Sequence, residues 1–359
     1  MLNIAIYGKQ MKIALIHHQY VSRGGMERYL VDLVKGFSEA GDEVILLTSK
    51  VDPKTPYLDR CRVVRNNVTL VPKPLRKVFF SGKLSRILER LKCDLSLSVT
   101  RSIGQDMVIC GGTHIGYLKH INQTRGLLDR LEISLEKNCY ENTRVIVAHS
   151  KMMENELAAF YGVEAFKMKV LYPPVDHERF YPALKGEQAN FRGEFGLDKS
   201  KFVLLFVSTG HKRKGLEMVL EAVRMLPPKD FQLAIAGSRP DIVIREDNVK
   251  YLGYVTEMPR LYAAADVTLM PSQYEPFGLA AVESVQCGTP VILSPFVGAG
   301  ELMGDGEAYK MAELTSECLK RGILKAFENR LLIEYDFARK AGLILANHIE
   351  NLKSCRSGN

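Results

Sequence analysis

The stretch Glu275-Pro276-Phe277-Gly278-Leu279-Ala280-Ala281-Val282-Glu283 places two carboxylates eight positions apart. It follows an apolar run at 267–270 and a Pro-Ser break, which predicts a strand, a loop and the start of a helix. Backbone N–H groups at such a helix N-terminus suit phosphate or sugar oxygens. An extended loop leading into a helix can bring Glu275 and Glu283 to one pocket. On spacing alone, two solvated surface glutamates remain the plainer interpretation.

The overall composition indicates a globular protein of two α/β domains, with 359 residues, 46% of them hydrophobic and 25% charged. The formal net charge of +8 favours anionic partners: nucleotide phosphates, phosphorylated glycans, an acidic membrane surface or nucleic acid. The 7 Cys residues form no CxxC pair, which argues against a disulfide framework and a zinc site and is typical of the cytoplasm. No apolar stretch is long enough to span a bilayer, and no export signal is expected. Residues 1–10 resemble a second copy of the first strand, and we expect either an upstream extension or a misassigned start site.

The N-terminal half opens with an apolar run and a glycine pair. Residues 12–17 predict a buried parallel strand that leads into a loop containing Gly24 and Gly25. A helical pattern follows, and residues 44–48 predict the second strand. This β–loop–α–β order is typical of a Rossmann-like domain, in which paired glycines let the backbone approach a ligand closely. The pair is not a GxGxxG motif, so a tight turn before a helix remains the alternative.

A second glycine pair precedes a histidine. Gly111-Gly112-Thr113-His114 follows the predicted strand at 107–110, at the sheet edge where ligands of α/β folds collect. His114 is therefore the candidate catalytic residue of this half, although a single His is more often structural. Ser150 is predicted to cap the helix that follows the strand at 145–148.

Two segments of the N-terminal half, 72–92 and 115–137, mix basic and apolar residues. A helix over 82–92 would have one apolar and one basic face. The plainer interpretation is an ordinary amphipathic helix, and the alternative is contact with acidic phospholipid or a phosphorylated acceptor. The bases concerned are Lys73, Arg76, Lys77, Lys83, Arg86, Arg90, Lys119, Arg125 and Arg130, and the apolar residues are Phe79, Phe80, Leu84, Ile87, Leu118, Leu127 and Leu128.

Tyr172-Pro173-Pro174-Val175-Asp176 and a polar stretch at 183–201 predict the domain junction. We expect one domain at 1–175 and a second at 176–359, whose C-terminal helices can pack back on the first. The second domain repeats the βα alternation, with strands predicted at 202–207, 233–236, 249–252, 267–270 and, last, 290–293, and with a helical pattern at 313–353.

A basic cluster, His211-Lys212-Arg213-Lys214-Gly215, follows the strand that leads to Ser208. A solvated charge run is the common interpretation of such a cluster. Its position between a strand and a helix favours instead a diphosphate site, because Arg and Lys neutralise a diphosphate without a metal. The chain carries no DxD motif or His-rich ligand set, so no metal requirement is predicted.

Four motifs together resemble the retaining GT-B glycosyltransferases of family 4, over roughly residues 11–300. They are Gly24-Gly25-x-Glu27-Arg28, Ser208 with Arg213-Lys214-Gly215, Glu275-x7-Glu283, and Gly288-x-Pro290-Val291. Within that family, Arg213-Lys214-Gly215 and Ala263-Ala264-Ala265-Asp266 are similar to the bacterial lipopolysaccharide core glucosyltransferases. The resemblance implies an α/β GT-B fold of two Rossmann-like domains facing across a cleft, the first on the acceptor side and the second binding the donor.

The resemblance also implies roles for individual residues. Glu275 and His114 would be catalytic. The donor-binding set would be Gly24 and Gly25 by the β-phosphate, Ser208, Arg213 and Lys214 on the diphosphate, Tyr254 and Val255 near the base, Phe277, Gly278 and Leu279 with Glu275 at the sugar, and Glu283 on the ribose.

The implied reaction is the retaining transfer of a hexose, from UDP-glucose or a similar donor, to a lipid-linked or lipopolysaccharide-core glycan. The alternatives are a nucleotide-sugar 2-epimerase on the same fold, a family 4 transferase for capsule or exopolysaccharide, and a non-enzymatic binding module. Nucleic acid is not an expected partner, because the bases are not interleaved with aromatic residues. We expect no cofactor, and a cytoplasmic enzyme that binds reversibly to the anionic inner face of a bacterial inner membrane.

Overall fold

The computed structural model describes residues 10–22, 24–68, 70–72 and 76–357. The chain forms two compact units, of which the first contains the described residues up to Pro173 and those from Leu345 onward. The second unit runs from Pro174 to Ile344. Of the residues considered above, 1–9 and Lys73 lie outside the described part.

The first unit is built on a parallel sheet of seven strands in the order β5-β3-β1-β6-β7-β8-β9, with β2 and β4 as a separate short pair. Its elements are β1 (Lys12–Ile16), β2 (Gln19–Tyr20), α1 (Gly25–Glu39), β3 (Glu43–Thr48), β4 (Lys50–Val51), β5 (Arg62–Arg65), α2 (Arg76–Gly82), α3 (Leu84–Leu91), β6 (Leu95–Ser98), β7 (Met107–Cys110), α4 (His114–His120), α5 (Leu127–Glu141), β8 (Val145–Ala148), α6 (Lys151–Tyr161) and β9 (Met168–Val170).

The central strand β1 explains why the first sheet is covered on both faces. Ile13 and Leu15 belong to a core cluster that includes α1 residues, whereas Ala14 and Ile16 belong to a separate cluster on α2 and α3. All four side chains are fully buried, as expected for a parallel strand between two helical layers.

The second unit contains a parallel sheet of six strands in the order β12-β11-β10-β13-β14-β15. Its elements are α7 (Gln188–Phe195), β10 (Phe202–Ser208), α8 (His211–Lys214), α9 (Leu216–Arg224), β11 (Phe231–Gly237), β12 (Val249–Gly253), α10 (Met258–Ala264), β13 (Val267–Met270), α11 (Leu279–Gln286), β14 (Val291–Leu293), β15 (Ala308–Lys310), α12 (Ser316–Glu328) and α13 (Phe337–Lys340). The predicted α/β class with two Rossmann-like sheets is confirmed.

The C-terminal helix α14 (Leu345–Ser354) belongs to the first unit and packs on α1. A Cβ atom at Gly36 of α1 would lie 2.6 Å from Cγ1 of Ile349, so the two helices approach closely because this position has no side chain. In the second unit, the prediction that the last strand ends at residue 293 is wrong, because β15 pairs with β14. The helical pattern at 313–353 is also interrupted, because α12 ends at Glu328, α13 covers only Phe337–Lys340 and the next helix begins at Leu345. Tyr335, between α12 and α13, and Lys340 both bond to Glu307.

The described residues of the segment 72–92 form two short helices, α2 and α3, and α3 (Leu84–Leu91) confirms the helix predicted over 82–92 with slightly narrower bounds. Phe80 and Leu84 are buried in the core, and so is Leu118 of α4, so these three side chains are not available to a membrane, contrary to the prediction. Phe79, Leu127 and Leu128 are exposed as predicted. The predicted cap at Ser150 is confirmed, because its hydroxyl accepts a hydrogen bond from the Met153 N–H.

Candidate active site

The basic cluster lies at the point where the winding of the second sheet reverses. β10 is hydrogen-bonded to β11 on one side and to β13 on the other. From β10 the next strands in the chain, β11 and β12, lie on one side, and the later strands β13, β14 and β15 lie on the other. Such a switch point leaves a crevice at the carboxyl ends of the strands, where ligands of open α/β sheets bind. The short helix α8 follows β10 there, and the Gln273 N–H beyond β13 donates to the Arg213 carbonyl over 2.8 Å. This hydrogen bond links the segment after β10 to the segment after β13.

Glu275 binds both predicted diphosphate cations. Its Oε2 atom lies 3.0 Å from Nη1 of Arg213 and 3.6 Å from Nζ of Lys214. Only 16% of the Glu275 side chain is exposed. Burial would raise the pKa of Glu275, but the charges of Lys214 and Arg213 and their hydrogen bonds outweigh it and lower the pKa. The carboxylate is therefore ionised at neutral pH, and the solvated-surface interpretation of all three residues is wrong.

The backbone of Glu275 is fixed by the segment after β14. Its N–H donates to the Phe296 carbonyl over 2.9 Å, and its carbonyl accepts from the Gly298 N–H over 3.0 Å. Arg213 adds a guanidinium hydrogen bond to the Tyr274 carbonyl. This arrangement holds one anion and two cations in a fixed geometry, with a net positive charge that suits an anionic ligand.

Gly278 allows the turn from Glu275 into α11. Its φ of 99° is a left-handed conformation, and α11 begins at the next residue, Leu279. A Cβ atom at Gly278 would lie 2.9 Å from Cγ1 of Val297 and 3.2 Å from Cγ of Glu275. Phe277 is buried, and its carbonyl accepts from the Ala299 N–H over 2.7 Å. The predicted sugar-binding segment is thus adjacent to Glu275 and is rigidly held.

Glu283 has a partner that the sequence did not indicate. It is buried on α11 and accepts a hydrogen bond of 3.1 Å from the hydroxyl of Tyr262, which lies on α10. Glu275 bonds to cations and Glu283 to a phenol, so the two carboxylates of the motif have different environments. Different environments allow them to serve different functions.

The remaining predicted donor residues follow strands of the same sheet. Ser208 is the last residue of β10, and its hydroxyl accepts from the Gly210 N–H over 3.2 Å. Tyr254 and Val255 follow β12, and the Tyr254 side chain is 76% exposed. Within the described residues, no hydrogen bond or ion pair links these two to the Arg213–Glu275 cluster. His211, in contrast, contacts the residue that follows β11, since its Nε2 lies 2.9 Å from the Ser238 carbonyl oxygen.

In the first unit, the glycine pair begins α1. Gly24 has a φ of 89° and caps the helix without a side-chain hydrogen bond. The carboxylate of Glu27 folds back over Gly24 and accepts a hydrogen bond of 2.8 Å from the Gln19 amide. Gly25 faces open space. Gly24 therefore lies between β2 and α1, and Gly25 is the first residue of α1, so both follow β1 in the loop-to-helix segment that the sequence predicts.

His114 is held by a carboxylate network. Its Nε2 lies 2.8 Å from Oδ1 of Asp129 on α5, and hydrogen bonds from the Gly126 N–H and from His114 lower the pKa of Asp129. The His114 backbone N–H donates to buried Glu136 over 2.9 Å, and Arg101 pairs with the same Glu136 at 2.8 Å. The imidazole is thus oriented by an anionic partner, a pairing that general acid–base histidines commonly have.

Sequence reasoning missed the supporting residues Tyr262, Ser238, Asp129 and Glu136. Ser238 follows a predicted strand and could have been found from that position, whereas the other three lie within helices and carry no local signal. In the described part of the chain, no group of three or more His, Cys, Asp or Glu side chains is arranged to hold a metal ion. The helices described there are too short or too polar to cross a bilayer.

Comparisons with known families agree with this architecture. The profile described as Glycosyltransferase Family 4 matches residues 23–179, and that of Glycosyl transferases group 1 matches residues 187–342. A protein of Burkholderia thailandensis named as a probable transglycosylase is 36% identical over 306 residues, which cover 83% of this chain and 84% of that relative. The chain belongs to the group 1 and family 4 glycosyltransferases and is a transferase enzyme.

Solved structures share the whole fold at low identity. The chain is similar to WaaG, a glycosyltransferase involved in lipopolysaccharide biosynthesis, with a TM-score of 0.74, 19% identity and coverage of 96% and 97% of the two chains. It is also similar to Anabaena Alr3699/HepE in complex with UDP-glucose, with a TM-score of 0.75, 19% identity and coverage of 98% and 100%. The architecture is therefore that of GT-B structures, and the resemblance of the four motifs to this family is confirmed.

Proposed function

We propose that this enzyme transfers glucose from UDP-glucose, with retention of configuration, to a lipid-linked or lipopolysaccharide-core glycan. The observation that carries the proposal is the pairing of Arg213 and Lys214 on buried Glu275 at the β10–β13 switch point. Two cations at this place suit the diphosphate of a nucleotide sugar, because Arg forms two parallel hydrogen bonds to phosphate oxygens and Lys adds a point charge.

The structural neighbours support the choice of donor and acceptor. Anabaena Alr3699/HepE was solved with UDP-glucose, and WaaG is described as acting in lipopolysaccharide biosynthesis. By the same likeness, we assign the ribose to Glu283 and the base to Tyr254 and Val255. The hexose is assigned to Glu275 and the backbone of residues 277–279.

In the proposed reaction, the bond between the sugar C1 and the diphosphate oxygen breaks as the acceptor hydroxyl bonds to C1 from the same face. The diphosphate leaves with the bonding electron pair, and the hydroxyl proton passes to it. Arg213 and Lys214 stabilise the developing charge on the diphosphate. Glu275 keeps both cations in position in the resting enzyme, and His114, oriented by Asp129, is assigned to the reacting hexose or acceptor. Because side chains supply the positive charge, we expect turnover to persist in EDTA.

The test is a screen of nucleotide sugars for thermal stabilisation, followed by a transfer assay. A ligand at one hundred times its dissociation constant stabilises the folded state by about 2.7 kcal/mol. We expect UDP-glucose to stabilise the protein and UDP to be released only when a glycan acceptor is added. Formation of an epimer from donor alone would support the epimerase instead. If UDP-glucose stabilises the protein but UDP is not released with any acceptor tested, the protein would be a binding module.

We further propose that the enzyme works at the cytoplasmic face of the inner membrane. Helices α2 and α5 are joined by an ion pair of 2.6 Å between Lys77 and Glu132. Phe79 on α2 is 49% exposed, and Leu127 and Leu128 on α5 are 83% and 71% exposed. Exposed bases accompany them: Lys83, Arg86, Arg90, Lys119, Arg125 and Arg130. Apolar side chains among bases suit an anionic bilayer surface.

A further inference from the structure

A cavity of about 600 Å³ opens in the first unit, within that unit's own residues. It lies at the carboxyl ends of four neighbouring strands. Arg65 ends β5, Lys50 follows β3, His18 follows β1, and Arg101 follows β6. The sheet winding reverses between β1 and β6, so the cavity occupies the switch point of the first sheet as the Arg213–Glu275 cluster occupies that of the second.

The lining of this cavity is strongly basic. Lys50, Arg65, Arg76, Lys77 and Arg101 all line it, and none of the described lining residues is Asp or Glu. Lys77 and Arg101 have carboxylate partners in Glu132 and Glu136, which are outside the lining.

Arg76 donates a hydrogen bond of 2.8 Å from its Nε to the Val71 carbonyl. The other two of the five cations have no carboxylate partner among the described residues. Among the residues that the structure describes, Lys50 and Arg65 form no ion pair, and both are exposed. Desolvation and the neighbouring His17 lower the pKa of His18 to about 4, so its neutral ring adds a hydrogen-bonding group without adding charge. Two uncompensated cations at the ends of the neighbouring strands β5 and β3 suit an anion of more than one charge.

We infer that this cavity binds a phosphate or diphosphate group carried by the acceptor, with Arg65 and Lys50 as its principal ligands. The inference rests on the proposed function, since it names the chemistry of the acceptor. The donor diphosphate has its own cations in Arg213 and Lys214 of the second unit. The volume is in the range of small-molecule sites and leaves room for a sugar beside the phosphate. Buried Phe80 and Val68 supply an apolar part of the wall.

The first test is a calorimetric titration of the full chain with inorganic pyrophosphate, after saturation with UDP to occupy the donor site. We expect wild-type protein to bind pyrophosphate and Arg65→Gln and Lys50→Gln each to bind at least tenfold more weakly. Lys137→Gln, an exposed cation on α5 outside the cavity, should bind as wild type does. Unchanged thermal unfolding of each variant shows that it is folded. Wild-type protein that fails to bind, or variants that bind equally well, would overturn the inference.

The second test separates the acceptor from free phosphate. We expect Arg65→Gln to raise the KM for a diphosphate-linked glycan at least tenfold and to leave the KM for UDP-glucose unchanged. A phosphate-free glycan should be used poorly by both proteins. Equal use of the two glycans by wild type would overturn the inference while leaving the transferase function intact. If no nucleotide sugar binds at all, the proposed function fails, and the pyrophosphate titration is repeated on Lys214→Ala to test the cavity alone.

Discussion

The Nη1 atom of Arg213 lies 3.0 Å from Oε2 of Glu275, although 62 positions separate the two residues in the chain. They meet because β10 and β13 are neighbours and each is followed by a loop that turns over the same edge of the sheet. A diphosphate placed between Arg213 and Lys214 would share these cations with Glu275, so the carboxylate orients them before the ligand arrives. Preorganised charge of this kind needs no rearrangement at the moment of reaction.

The first prediction concerns Lys214. Lys214→Ala should weaken donor binding about 10- to 100-fold, because a charge-assisted hydrogen bond contributes about 1.5–3 kcal/mol. Stability should change by less than about 1 kcal/mol, since Glu275 keeps Arg213 as its partner. The measurement is the KM for UDP-glucose together with thermal unfolding. Lys212→Ala is the matched control, because Lys212 is exposed on the same short helix. A wild-type kcat/KM in the Lys214→Ala enzyme would show that Lys214 does not bind the donor.

A second prediction separates the two glutamates of the motif. Glu283→Gln should mainly weaken UDP binding, because Glu283 is assigned to the ribose and its hydrogen bond from Tyr262 positions it. Glu275→Gln should mainly slow single-turnover transfer from bound donor, because the cation pair loses its orienting charge. Calorimetry with UDP and rapid-quench kinetics measure the two effects. Equal losses in both measurements for both variants would mean that the roles are wrongly divided.

The strands, and the candidate residues at their carboxyl ends, could be predicted from the sequence. Continuous apolar runs identified the strands β1, β7, β8, β10 and β13, because buried parallel strands carry apolar residues on both faces. The candidate residues then followed from position, since ligands collect where such strands end. Arg213, Lys214 and Glu275 could therefore be grouped as donor-site candidates before their contacts were known.

The missed parts depend on distant neighbours. β15 is three residues long and exists because it pairs with β14, which no local pattern records. Arg65 and Lys50 are single cations in otherwise ordinary strand ends, and only the strand order β5-β3-β1 brings them to one cavity. Phe80 and Leu84 fit an amphipathic helix, but which face is buried depends on the sheet beneath them.

A third prediction uses two buried histidines of the first unit. Tyr29 on α1 bonds to Nε2 of His348 on α14 over 2.7 Å, and the Tyr29 and His149 rings are 4.7 Å apart. Burial lowers the pKa of His149 to about 3, with His348 contributing, and burial lowers that of His348 to about 4. The unfolded chain therefore binds more protons below pH 6.5. Stability is full above that pH and falls by about 1.4 kcal/mol per pH unit for each histidine as pH drops toward 4.

Denaturant unfolding between pH 7.5 and 4.5 measures this slope. His348→Gln should be less stable than wild type at pH 7.5, because the bond with Tyr29 is altered. It should nevertheless lose stability less steeply as pH falls, because one proton-linked group is gone. An unchanged slope in this variant would show that His348 does not contribute to the acid sensitivity of the protein.

Gly278 gives the fourth prediction. Gly278→Ala should destabilise the protein by about 1–2 kcal/mol or more, because φ is 99° and the new Cβ would lie 2.9 Å from Cγ1 of Val297. It should also reduce turnover, since relief of this contact would move the segment that carries Glu275. Chemical denaturation and kcat measure the two effects. Gly306→Ala is the control, because a Cβ atom there faces open space, and a Gly278→Ala protein as stable as that control would contradict the argument.

The last prediction concerns the membrane. Vesicle co-sedimentation should show binding to anionic lipid that weakens as salt rises, and no binding to neutral lipid. Each base near the membrane surface contributes about 1 kcal/mol to the free energy of binding, and each buried methylene contributes about 0.8 kcal/mol. The loss of two leucine side chains should therefore weaken binding measurably. Leu127→Ser combined with Leu128→Ser should therefore bind at least tenfold more weakly. Phe166→Ser is the matched control, because Phe166 is 74% exposed but follows α6, away from α2 and α5 in sequence. Equal partitioning on both lipids, or none on either, would indicate an enzyme that meets its acceptor in solution.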